Sequence, residues 1–125
     1  MQYSLKCHCG AVEAKFTSEP ITTAVDCNCS ICRMKGALQL RIPKEDFELV
    51  KGEDDLQTYK FNTMKASHYF CKHCGIHVFT QPRVSTEHYS INLRCVPEVD
   101  LDKLQLIKFD GINWEESACK MGIIE

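Results

Sequence analysis

The chain has 125 residues, a formal net charge of -2 at neutral pH, 26% charged and 44% hydrophobic residues. A chain of that length can bury a core of its own without staples. Its apolar runs fall well short of the roughly 18 residues a membrane span requires, and without a basic block it lacks the electrostatic footprint of a nucleic-acid surface. The N-terminal stretch MQYSLKC shows neither the charged nor the apolar region of a secretory signal. The expectation is a cytoplasmic or nuclear protein with no nucleic-acid and no membrane partner.

In chain order, the segments are short and mostly alternate with the period of half-buried strands. Ser4 to Lys6 comes first, and Val12, Ala14 and Phe16 follow against Glu13 and Lys15. Ile21 to Asp26 predicts a third strand. Ser30 is placed to cap a helical turn through Cys32 and Met34. Leu38, Leu40 and Ile42 alternate with Gln39 and Arg41, and Pro43 can open a second turn through Asp46. After a turn at Lys51-Gly52 come strands at Leu56 to Phe61, Ser67 to Phe70 and Ile76 to Thr80. A turn at Gln81-Pro82 then leads to Tyr89, Ile91 and Leu93, and next to Leu104 to Phe109. Asp110-Gly111 predicts a turn and Trp114 to Cys119 a last helical segment. No repeat or linker interrupts the chain, so the reading is one domain over residues 1–125, mainly β with short helical turns.

Nine cysteines would suggest disulfides in a secreted chain. In a reducing compartment, clustered thiols more often hold metal. Seven of them fall in three groups: Cys7-His8-Cys9-Gly10, Cys27-Asn28-Cys29-Ser30-Ile31-Cys32 and Cys71-Lys72-His73-Cys74-Gly75. Cys95 and Cys119 stand alone and read as free thiols. Residues at i and i+2 of an extended chain share a face, so Cys7 and Cys9 can converge on one ion. The Cys-x-x-Cys-Gly of the third group is a zinc-ribbon knuckle, in which glycine accepts the left-handed turn. Together these two groups supply four thiolates, enough to close a tetrahedral structural zinc.

The middle group offers three thiols within six residues. A strand ending through Cys27 and Cys29, then a helical turn containing Cys32, can bring them around one centre, with the positive end of the helix favouring thiolate at Cys32. Three protein ligands plus one position for water or substrate is the pattern of a catalytic zinc. A histidine among His8, His68, His73, His77 and His88 could instead close that site as a structural one. An iron–sulfur cluster also takes four cysteines, although the spacing is not a usual ferredoxin run. Other pairings of the three groups stay open.

With CHCGAV at Cys7 to Val12, DCNCSICR at Asp26 to Arg33, FELVKG at Phe47 to Gly52 and YKFNTMKASHYFCKHCG at Tyr59 to Gly75, the chain resembles the family of glutathione-dependent formaldehyde-activating enzymes and centromere protein V. The likeness continues through Pro82-Arg83 and FDGINWE at Phe109 to Glu115, and the FNTMKA segment leans toward the centromere protein V branch. The resemblance implies a β-tent fold with two zinc ions per chain, one on Cys7, Cys9, Cys71 and Cys74 and the other on Cys27, Cys29 and Cys32. It further implies a zinc-dependent carbon–sulfur lyase-like protein acting on a glutathione–aldehyde adduct of the S-hydroxymethylglutathione type. Glutathione would then be the small thiol substrate. A non-catalytic zinc module that binds a protein partner is the alternative. Arg33, Lys35, Arg41, Lys65 and Arg94 could meet a glutathione carboxylate, and His68 is the histidine placed to sit near a site. No catalytic acid or base is assigned.

Overall fold

Alternating side chains build ten strands and one short helix among the residues described by the computed structural model, 1–61, 66–82 and 87–110. In order these are β1 (Gln2–Lys6), β2 (Glu13–Thr17), β3 (Thr23–Cys27), α1 (Ser30–Lys35), β4 (Gln39–Pro43), β5 (Phe47–Lys51), β6 (Leu56–Tyr59), β7 (Ser67–Cys71), β8 (His77–Gln81), β9 (His88–Asn92) and β10 (Gln105–Phe109). The expected helical segment at Trp114 to Cys119, the free thiol Cys119, Lys65, Arg83 and the motif residues beyond Asp110 lie outside the described residues. The expectation of a mainly β domain holds, and among the described residues no helix is long and apolar enough to cross a membrane.

Two sheets share one core. The small sheet runs β1-β2-β5 and the large one β10-β3-β4-β9-β8-β7-β6. Tyr3 and Leu5 of β1 and Ala14 and Phe16 of β2 turn inward, as period-2 alternation requires, and the Tyr3 and Phe16 rings stack at 5.3 Å. They meet Val78, Phe79 and Ile91 from the large sheet and Leu93 from the turn after β9, all in one buried cluster.

The large sheet has two faces of different chemistry. Register pairs Leu40 with Ile91, Ile91 with Phe79 and Phe79 with Tyr69, which gives one row directed at the core. One residue along, Arg41 pairs with Ser90, Ser90 with Thr80, Thr80 with His68 and His68 with Tyr59. That row is polar and belongs to the opposite face. Its central members Ser90, Thr80 and His68 are nonetheless buried.

The structure departs from the sequence reading in two places. β5 arises from FELVK, which had been noticed only as part of a family motif. It is a sheet edge held by β2 alone, and Phe47 packs on Phe79 and Tyr89 with ring centroids 5.0 and 4.9 Å apart. The N-cap of α1 is Cys29 rather than Ser30, and its sulfur accepts the Cys32 N–H at 3.4 Å.

Gly52, between β5 and β6, has φ of +93°, and a Cβ there would stand 2.4 Å from the Ala11 carbonyl oxygen and 2.7 Å from the Val12 Cα. Gly36, the C-cap of α1, has φ of +66° but open space around it. Gly52→Ala is therefore expected to cost about 3 kcal/mol, left-handed strain plus a collision with backbone, and Gly36→Ala about 1 kcal/mol, strain alone. Chemical denaturation of both variants checks this; equal losses would remove the collision from the account.

Candidate metal centres and the adjoining cavity

Cys7 and Cys9 follow β1, whereas Cys71 ends β7 and Cys74 lies in the turn to β8. Both turns close on a glycine of positive φ: Gly10 donates its N–H to the Cys7 carbonyl at 3.2 Å and Gly75 to that of Cys71 at 2.8 Å. The four sulfurs lie within 4.8 Å of one another. Cys9 Sγ is 3.7 Å from Cys7 Sγ and 3.6 Å from Cys71 Sγ. A tetrahedron of sulfurs at the usual zinc–sulfur distance has edges of about 3.8 Å, so the donors match that ion. Backbone N–H groups of Val12 and His73 donate to Cys7 Sγ and Cys71 Sγ at 3.3 and 3.4 Å, as electron-rich sulfur ligands require.

The second group is assembled by β3 and α1. Cys27 ends β3, Cys29 caps the helix and Cys32 lies in its first turn, with their sulfurs again within 4.8 Å of one another. β10 braces this corner from the parallel side: Phe109 pairs with Cys27 and packs on Cys27 and Cys32, and the Asn28 N–H donates to its carbonyl at 3.2 Å. Cys29 is the natural thiolate, since thiols of Cys27 and Cys32 donate to it and hold it down at about 2. The same bonding pushes the Cys27 thiol up. Cys32, lowered by Cys27 but raised by Cys29 and by burial, ends above its ordinary value. Cys32 Sγ also accepts a 3.0 Å hydrogen bond from Gln39 Nε2, and the Gln39 carbonyl in turn accepts from Ser90 Oγ at 2.8 Å.

Both groups could hold a metal ion, and no histidine joins either among the described residues. His73 instead bonds Asp55 at 2.7 Å. Cys95 stands apart, its thiol donating to the His77 carbonyl at 3.5 Å with burial pushing it up to about 11.

Lys35 lies one helical turn beyond Ile31 and Cys32, on the same side of α1. Its Nζ is 3.1 Å from His68 Nδ1 and 3.3 Å from His77 Nε2, and Thr80 Oγ1 stands 3.5 and 3.3 Å from the same two nitrogens. Burial, then the Lys35 charge, holds His68 down at about 4; the same two causes, with His68 added, hold His77 at about 3. Burial likewise lowers Lys35, although the three cysteine sulfurs pull the other way. These side chains line a cavity of about 280 Å³ together with Ile31, Tyr59, Phe70 and Gly75. His68 thus stands in the cavity wall and joins neither cysteine group. His77 was not singled out, because strict alternation would set it beside Phe79 on the core face. The register slips between Tyr69 and Phe70, so that Phe70 faces His77, and the bulge brings the imidazole around to Thr80. Of the other cationic candidates, Arg33, Arg41 and Arg94 are exposed, and Arg94 Nε donates to the Gly36 carbonyl at 2.7 Å, tying down the end of α1.

The family described as glutathione-dependent formaldehyde-activating enzyme matches residues 2–106 of the chain, which include all seven clustered cysteines. The chain belongs to that family. A crystal structure of a Rhodobacter sphaeroides protein superposes with a TM-score of 0.77 at 34% identity, covering 84% of this chain and 97% of the other. The family match thus spans the three-cysteine group and the cavity alike.

Cys7 and Cys71 are embedded in the main core, while Cys27 and Cys32 form a small cluster with Phe109. Cys71→Ser is accordingly expected to unfold or aggregate the protein, since a structural zinc supplies on the order of 10 kcal/mol. Cys32→Ser should leave it folded while lowering its metal content. Denaturation curves with metal analysis check the pair, and equal collapse would overturn the division of labour.

His68 and His77 bind protons less readily folded than unfolded, so between their unfolded value near 6.5 and their folded ones the unfolded chain holds more protons. Their stability contribution is complete above that upper value and falls as pH drops toward 3, by on the order of 2 kcal/mol after allowance for solvent screening. His77→Gln should flatten the pH dependence of urea midpoints over that window relative to wild type; parallel curves would show that the imidazole titrates normally.

Proposed function

We propose that the protein is a zinc-dependent carbon–sulfur lyase-type enzyme that makes and breaks the adduct of glutathione with an aldehyde, of the S-hydroxymethylglutathione kind. The observation that carries this reading is the three-thiol group, which gathers three donors and no fourth among the described residues beside a cavity with an amine in its wall. In this reading residues 1–125 form one zinc-binding domain. Cys7, Cys9, Cys71 and Cys74 hold a structural zinc, and Cys27, Cys29 and Cys32 hold a second that faces substrate.

A zinc ion there would act as a Lewis acid that favours thiolate over thiol in an incoming ligand. The chain's own residues do the rest. Gln39, fixed by Ser90, and the Cys32 N–H hold two sulfurs in place through hydrogen bonds. Ile31, Tyr59 and Phe70 give that cavity apolar walls. In the forward direction the substrate sulfur forms a bond to the carbonyl carbon, the carbonyl π bond opens, and the proton shed by the thiol ends on oxygen. No electron is gained or lost overall.

The test is a paired titration of glutathione and S-methylglutathione by calorimetry between pH 6 and 9, with zinc-edge X-ray absorption of the glutathione complex. Glutathione is expected to bind at least tenfold more tightly, with affinity rising as the thiol ionises near 8.5, and to add a sulfur to the spectrum. Equal affinities and an unchanged spectrum would sink the enzyme reading in favour of a non-catalytic zinc module that binds a protein partner, the role the centromere protein V branch suggests.

A further inference from the structure

We propose that Lys35 is the proton donor to the carbonyl oxygen in adduct formation, and the base that removes the hydroxyl proton in the reverse direction, with His68 and His77 as its positioning residues. This inference rests on the reading above and assigns a role to a residue that the metal chemistry leaves unused.

The geometry starts from the surroundings of the amine. Lys35 is half-buried, and its hydrogen-bond partners are two imidazole nitrogens and no carboxylate among the described residues. An ammonium has three protons, and two are directed at His68 Nδ1 and His77 Nε2. Both imidazoles must present lone pairs at those atoms, so each carries its own proton on the other nitrogen. The third ammonium proton remains for the cavity that Lys35 itself lines.

A surface lysine would be paired with acid or solvated; this one is held by groups that accept hydrogen bonds without supplying negative charge. The ionisable groups facing it are His68 from β7, His77 from β8, Tyr59 in the cavity wall from β6, and the thiols of Cys27, Cys29 and Cys32 from β3 and α1. Burial makes the ammonium a stronger acid than a free lysine, although the sulfurs of Cys32, Cys29 and Cys27 pull the other way.

The step balances. The thiolate sulfur forms the carbon–sulfur bond, the carbonyl π pair moves to oxygen, and oxygen takes the Lys35 proton. The proton released when the thiol ionised then restores the ammonium. In reverse, neutral Lys35 takes the hydroxyl proton, the carbonyl re-forms and the carbon–sulfur bond breaks.

The experiment compares wild type, Lys35→Met and Lys35→Arg in zinc-loaded protein, measuring hydroxymethylglutathione formation from glutathione and formaldehyde above the spontaneous rate, with KM for glutathione. Lys35→Met should lower kcat about 100-fold with little change in KM, and Lys35→Arg should not restore it, because a guanidinium does not release its proton. An NMR titration of the Lys35 Cε in wild type, independent of activity and of any folding defect in the variants, should show ionisation below the ordinary lysine value near 10.4. Recovery of kcat by arginine, a change confined to KM, or an ordinary lysine titration would overturn the proposal. A wild type without activity would remove the functional reading itself, whereas an active wild type matched by Lys35→Met removes only the role of Lys35.

Discussion

Four sulfurs from distant parts of the chain meet within bonding range of a single ion, and the packing of the two sheets depends on that meeting. Cys9 and Cys71 are 62 positions apart, yet their sulfurs approach to 3.6 Å. Four thiols at such spacing gain little from one another, and ionised they repel strongly. A divalent cation that takes soft ligands would turn that repulsion into attraction. Because Cys7 leaves the small sheet and Cys71 ends a strand of the large one, an ion held there would tie together the two sheets whose Tyr3, Leu5, Phe16, Val78 and Phe79 share the core.

That arrangement frees the other face of the large sheet for chemistry. Core packing uses the row of Leu40, Ile91, Phe79 and Tyr69, and the residues between them carry Ser90, Thr80 and His68 to the far side. α1 delivers Lys35 to that side, so polar groups end up buried with partners and without neutralising charge. A buried polar face of this sort costs stability unless its hydrogen bonds are met, and here no buried side-chain nitrogen or oxygen among the described residues lacks a partner.

Most of this plan was legible in the residues. Thiol groups with gaps of one or two residues converge by local geometry, so the ligand set could be read without the fold, as could the strands with clean alternation such as β2 and β4. What could not be read depends on contacts made across the chain. Spacing alone left the pairing of the three cysteine groups open; the resemblance supplied the division into four and three, and the approach of Cys9 to Cys71 agrees with it. β5 is a half-exposed edge whose pattern carries little signal by itself. His77 escaped because a bulge reverses the side to which its position would assign it, and a bulge depends on its partner strand. Gln39 and Ser90 read as ordinary strand residues, and only the fold reveals that Ser90 holds the Gln39 amide that bonds Cys32.

The choice of histidines rather than carboxylates around Lys35 has an electrostatic consequence for the thiols. An aspartate at 3 Å would cancel the ammonium's field at distances beyond a few ångströms, whereas a neutral imidazole accepts the hydrogen bond and leaves the charge in place. Lys35 therefore acts on the thiols one turn away, and the sulfurs act on Lys35, in a setting where burial weakens screening. The two centres are coupled through that field: negative charge gathered on sulfur stabilises the ammonium, and loss of the ammonium proton makes additional negative charge on sulfur harder to hold. In the proposed reaction, moving one proton from sulfur to oxygen would change both centres at once. Placing them on one short helix, with the amine held by groups that remain neutral, keeps that exchange between sulfur and amine instead of dissipating it into a fixed salt bridge.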